Sequence, residues 1–125
     1  MESLSWKYVK PIKEPEAVHN FLNKYKIVLP EELIQCITEN NGGRPSQKLF
    51  DTDKGKEYVF KSLLSYNEED TECIYKVFPE LFYGTALYPI GTDASGNFIC
   101  FDIAEQKYAL LKHETNAKEY IQWSR

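Results

Sequence analysis

Apolar residues recur along this chain at two different spacings, and the change of spacing divides it. Val18, Phe21, Leu22 and Tyr25 fall at i, i+3, i+4 and i+7, one stripe of a helix over about 14–25 with Pro15 at its start. A second helix is predicted over about 30–41. Pro30 suits a first helical position, where its missing N–H would be an orphan in any case. Glu31 and Glu32 place negative charge on the positive end of the helix dipole, and Leu33, Ile34 and Ile37 give one apolar face. Asn41 and Gly42 tolerate the left-handed conformation that ends a helix, and Gly43 releases the chain. Ahead of both helices, residues 1–13 form a mixed lead-in carrying Trp6, Tyr8 and Pro11.

Beyond residue 46 the spacing shortens. Residues 47–50 and 57–61 read as strands around the polar turn Asp51-Thr52-Asp53-Lys54-Gly55, and 62–66 as a loop. Residues 71–78 read as a third helix with Ile74, Val77 and Phe78 inward, Asp70 as its cap and Pro79 either interrupting it or starting a second turn. The runs 86–92, 97–103 and 107–112 are rich in Ile, Tyr, Phe and Leu and are joined by connections of hairpin length, which predicts an antiparallel meander. In the first connection, Gly96 and Asn97 are suited to the positive φ of a tight turn. Lys118 to Arg125, with Tyr120, Ile121 and Trp123 apolar, reads as the start of an amphipathic helix. Either that helix is short or the sequence is part of a longer one. Helices followed by strands predict an α+β fold: N-terminal helices packed on a mostly antiparallel sheet, then a C-terminal β-meander and a short helix.

A length of 125 residues predicts a single domain over 1–125, large enough to fold without staples. Nine Tyr and seven Phe suit core and half-buried strand positions, or alternatively a Tyr-rich binding surface. The net charge of −4 comes without any basic run, which argues against nucleic acid as a partner. Such an acidic balance suits solubility, or steering toward a basic protein. Cys36, Cys73 and Cys100 are odd in number and form no CxxC pair, so all three are expected to be reduced, in a reducing compartment. The first ten residues lack the apolar core of a signal peptide, and no apolar run reaches transmembrane length. A cytoplasmic protein without a membrane partner is expected.

Candidate chemistry is sparse. His19 lies on the polar side of its helix and reads as solvated. With His113 it would need a third metal ligand that no spacing identifies, so no metal or other cofactor is expected. Asp51 to Gly55 resembles the start of a calcium loop but lacks the later acceptors and the distal glutamate. GxSxG, Walker, GxGxxG and HExxH motifs are absent. A ligand-binding or enzymatic reading would rest on Cys36, His19, Asp93 and Asp102. Glu68-Glu69-Asp70 with Glu72 reads either as a solvated loop or as an acidic patch facing a cationic partner. Gly42 and Gly43 follow a helix C-terminus, where the dipole is negative, so they are not a phosphate cradle.

Several of these pieces together resemble the SUKH superfamily, which includes yeast cell-wall-assembly regulators and many bacterial immunity proteins. The resemblance begins with Leu29-Pro30 and Asn41-Gly42-Gly43 and continues through Tyr58-Val59-Phe60, Leu63-Leu64 and Leu87-Tyr88-Pro89-Ile90. It ends with Asp93 to Gly96-Asn97, Cys100-Phe101-Asp102 and His113-Glu114, so it spans about residues 14–115. It implies helices packed on a mostly antiparallel sheet and a non-enzymatic role without catalytic residues or cofactor. Bacterial members often bind and neutralise a toxin domain, frequently a nuclease, so a toxin domain is the expected partner. An intracellular regulatory scaffold, as in the yeast relatives, is the alternative. Pro30, Asn41, Gly42, Gly43, Gly96 and Asn97 are then turn and cap residues. Candidate partner contacts are Asp51, Asp53, Glu68, Glu69, Asp70, Glu72 and Tyr83. The chain departs from the family at its C-terminus, where a fuller final helix is usual.

Overall fold

The computed structural model describes residues 5–123. In chain order it contains strand β1 (Trp6–Lys7), helices α1 (Ala17–Tyr25) and α2 (Glu31–Glu39), and strands β2 (Arg44–Pro45), β3 (Leu49–Thr52) and β4 (Tyr58–Leu63). Helix α3 (Ile74–Leu81) follows, then strands β5 (Leu87–Asp93), β6 (Phe98–Asp102), β7 (Lys107–Leu111) and β8 (Lys118–Gln122). The fold is α+β, with one helix placed between strands. Strands β3 to β8 are antiparallel neighbours in sequence order and close into a barrel, while β1 and β2 form a separate pair.

The helices follow the apolar stripes. Val18, Phe21 and Leu22 of α1 and Leu33, Ile34 and Ile37 of α2 are buried. Phe21 and Phe78 set their rings against Tyr88 on β5, so α1 and α3 share one contact on the barrel. Helix α1 starts at Ala17, later than expected, because Glu14 to Glu16 make a turn whose carbonyl at Glu14 accepts the Ala17 N–H. It ends in a Schellman pair: Lys26 N–H donates to Asn23 and Ile27 N–H to Leu22. Lys26, not glycine, takes the left-handed φ of 56° there. Pro30 caps α2 from outside its first turn. Gly42 takes φ +67° as expected, but Asn41 does not adopt the left-handed region. Asn41 acts through its side chain instead.

Four further expectations are corrected. The segment 118–125 is no helix within its described residues: Lys118–Gln122 is β8, and Ser124 and Arg125 lie outside them. Its side chains alternate, so Ile121 and Trp123 share a side, and the Trp123 ring meets Phe50, Phe60 and Tyr108. An isolated two-turn helix would be marginal, whereas a strand here satisfies the open edges of both β7 and β3. Asp70 does not cap α3. Cys73 takes the cap position in an extended conformation, held because Ser65 N–H donates to Glu72 and Ile74 N–H to Ser65. Pro79 does not interrupt α3. It sits exposed within the helix and costs only one backbone hydrogen bond. Asn97 likewise lacks the positive φ that Gly96 adopts.

Candidate functional site

The motif residues form two polar clamps. In the first, Asn41 is fully buried. Its Nδ2 donates to the Lys10 carbonyl at 2.8 Å and to Ser65 Oγ at 3.1 Å, and its Oδ1 accepts the Tyr66 N–H at 2.7 Å. Asn67 repeats the device, donating to the Pro11 carbonyl and accepting the Lys13 N–H, both at 3.0 Å. The two amides therefore bind the lead-in to the segment after β4. In the second clamp, Asp93 Oδ1 accepts the N–H groups of Ser95 and Asn97, and Oδ2 accepts Asn97 Nδ2 at 2.8 Å. Asn97 Oδ1 in turn accepts the His113 N–H, which joins the β5–β6 turn to the end of β7.

Asp102 is 1% exposed and accepts from three donors: Lys118 Nζ at 2.9 Å, Tyr120 Oη at 3.2 Å and the Glu105 N–H at 3.1 Å. Burial alone would raise its carboxyl, but these donors and the Lys118 charge outweigh that and hold it below the usual carboxylate range. Lys118 is correspondingly raised by its bond to Asp102. Cys36 sits half-buried on α2, where desolvation pushes its thiol up and keeps it protonated. Its polar neighbour is the Asn40 amide at 4.0 Å, not a base. His19 is exposed on α1. Among the described residues no group of three or more His, Cys, Asp and Glu is arranged to hold a metal ion. All three cysteines are free thiols.

The acidic candidates fall in separate places and are interleaved with lysines. Asp51 closes β3 and accepts the Glu57 N–H, while Asp53 in the following turn accepts the Tyr120 N–H. In the loop before α3, Glu69 pairs with Lys13, and Glu72 pairs with Lys61 at 3.1 Å. The bond from Lys13 lowers the Glu69 carboxyl. Asp70 accepts Ser65 Oγ at 2.5 Å and lies 4.0 Å from Lys10 Nζ. Glu68 is exposed. Tyr83 is 68% exposed after α3, with its ring against Tyr25 and Phe78.

The sequence reading missed a polar layer at one end of the barrel. Glu119 Oε1 accepts the hydroxyls of Thr52 at 2.7 Å and Tyr58 at 3.0 Å, and Lys112 Nζ donates to Tyr58 Oη at 3.2 Å. Only the pairing of β8 with β3 brings these strands together, so the local pattern carried no signal of it. Beside the layer is a solvent-open depression of about 390 Å³ touched by Tyr58, Ser95, Lys112 and His113. Two further depressions, of about 390 and 340 Å³, share Lys10, Gly42, Ser62 and Glu72 along the lead-in.

These features define a small α+β domain whose buried polar residues lock turns and whose depressions are open to solvent. The family model for SMI1/KNR4 (SUKH-1) matches residues 14–121, from ahead of α1 into β8, and the chain belongs to that family. No curated protein and no solved structure matches the chain. No helix among the described residues is long and apolar enough to cross a membrane.

Proposed function

We propose that this chain is a non-enzymatic binding protein of the immunity type, which neutralises a toxin domain by covering it. Membership of the SMI1/KNR4 (SUKH-1) family carries the reading. The side-chain chemistry supports it. Asp93 and Asp102, the acidic candidates for catalysis, each have their carboxylate occupied by donors that build the fold. A general base must lie within reach of a substrate proton, and Asp93 and Asp102 are only 2% and 1% exposed. The exposed aromatics Tyr8, with Arg44 beside its ring, and Tyr83 suit recognition of a protein surface. Asp51, Asp53, Glu68 and Tyr83 remain the contacts we assign to a cationic partner face.

The test is co-expression with toxin domains encoded beside the gene. Rescue of growth together with a stable complex in gel filtration is the expected outcome. Failure to rescue and failure to bind any neighbouring toxin would remove the immunity reading.

A further inference from the structure

The two depressions along the lead-in form one groove whose charge runs against that of the chain. Lys10, Arg44 and Lys61 line it against Glu72, and Asp70 stands 4.0 Å from Lys10, which leaves one cation in excess on a chain of net charge −4. Glu72 is occupied by Lys61 at 3.1 Å. At one lip stands Tyr8, 75% exposed, with the Arg44 guanidinium 5.8 Å from its ring centroid. Tyr8 holds φ at 59°, a left-handed conformation unfavourable for a bulky residue, and yet its side chain gains no burial from it. Between the lips lies Gly42, whose missing side chain leaves the floor open. A Cβ there would meet Lys10 Cδ at 3.3 Å.

The negative end of α2 approaches this floor and opposes an anion. That opposition is about half a charge and fades within the last helical turn. Two carbonyls at that end are already used: Cys36 accepts both the Asn40 N–H and its Nδ2, and Asn40 accepts the Gly43 N–H. One net full charge outweighs it.

From this geometry we infer that the groove seats a carboxylate-rich, extended segment of a protein partner, with Arg44 and Lys61 pairing its acids and Tyr8 covering its backbone. The inference rests on the reading of the chain as a protein-binding module. It differs from the acidic contacts assigned above in both position and sign. A protein segment is favoured over nucleic acid because the chain carries no basic run to track a phosphate backbone.

The test is an NMR titration of the ¹⁵N-labelled full chain with a pentaglutamate peptide, with pentalysine and a ten-nucleotide oligo-dT as comparison probes. Shifts confined to Tyr8, Lys10, Gly42, Arg44 and Ser62, with a dissociation constant weakened about tenfold in Arg44→Glu/Lys61→Glu, are expected. Both positions are exposed, and an unchanged melting temperature checks that the variant still folds. No shifts at the groove, shifts that survive the double reversal, or tighter binding of oligo-dT would each overturn the inference. Toxin co-expression is a separate readout. Rescue by the wild type and by the double reversal alike would leave the immunity reading standing and remove the groove from it.

Discussion

Replacing Asn41 with Ala should cost about 3–4 kcal/mol of folding stability. The side chain is fully buried and serves three groups. Alanine leaves the Tyr66 N–H without its acceptor in the interior, which costs about 2–3 kcal/mol. The Lys10 carbonyl loses a donor too, but it lies near the surface and regains water, so its share is about 1 kcal/mol. Ser65 Oγ keeps the Asn67 N–H as donor and Asp70 as acceptor and adds little. Urea unfolding followed by fluorescence measures the sum. With a slope of about 2 kcal/mol/M for a chain of this size, the midpoint falls by about 2 M. Asn41→Asp separates the two halves of the clamp. It keeps the acceptor for Tyr66 but faces the Lys10 carbonyl with a second oxygen. Burial raises such a carboxyl, so its damage should be smallest below about pH 4, where the protonated acid donates again, and should grow as pH rises. A loss below 1 kcal/mol in Asn41→Ala would refute the clamp as the reason this residue is buried.

Other outcomes follow from the same geometry. Lys26→Gly should stabilise the chain by about 1 kcal/mol in thermal unfolding, because glycine adopts the left-handed Schellman position without the penalty lysine carries. Asp102 has a lowered carboxyl, so its stabilisation is present above about pH 4 and is lost as pH falls through the lower folded-state value. Acid unfolding between pH 5 and 2 should therefore be less steep in Asp102→Asn than in the wild type. Gly91→Ala places a Cβ 2.7 Å from the Ser62 carbonyl oxygen, which belongs to the backbone of the paired strand and cannot swing away. A loss of about 2 kcal/mol in urea is expected. Trp123→Ala should cost about 3 kcal/mol in urea unfolding, because three aromatic rings lose their shared partner.

The parts of the fold that depend on neighbours in sequence were legible there. Stripes at helical spacing located α1 and α2, and the turn residues Asp93 to Asn97 marked the β5–β6 hairpin, because helix faces and tight turns are set by residues a few positions apart. The terminal segment misled for the opposite reason. Tyr120, Ile121 and Trp123 fit a helical face locally, but the edges of β7 and β3 needed a strand, and β3 lies about seventy positions away. Pro30, Asn41 and Gly42 were recognised as a helix boundary, yet the buried amide of Asn41 was invisible because its partners Lys10, Ser65 and Tyr66 lie 24 to 31 positions distant. The barrel-end layer of Thr52, Tyr58, Lys112 and Glu119 was hidden in the same way. The acidic segment 68–72 was legible as charge but not as pairs, since Lys13 and Lys61 reach it only in the folded chain.

The proposed function is binding of another protein, not catalysis. Toxin activity assayed with the purified chain at increasing molar ratio tests it most directly, using a toxin domain encoded beside the gene. Stoichiometric inhibition that saturates at a fixed molar ratio, with the toxin recovered intact from the complex, is the expected result. Inhibition by far less than an equivalent of the chain, with the toxin cleaved or chemically altered, would contradict it.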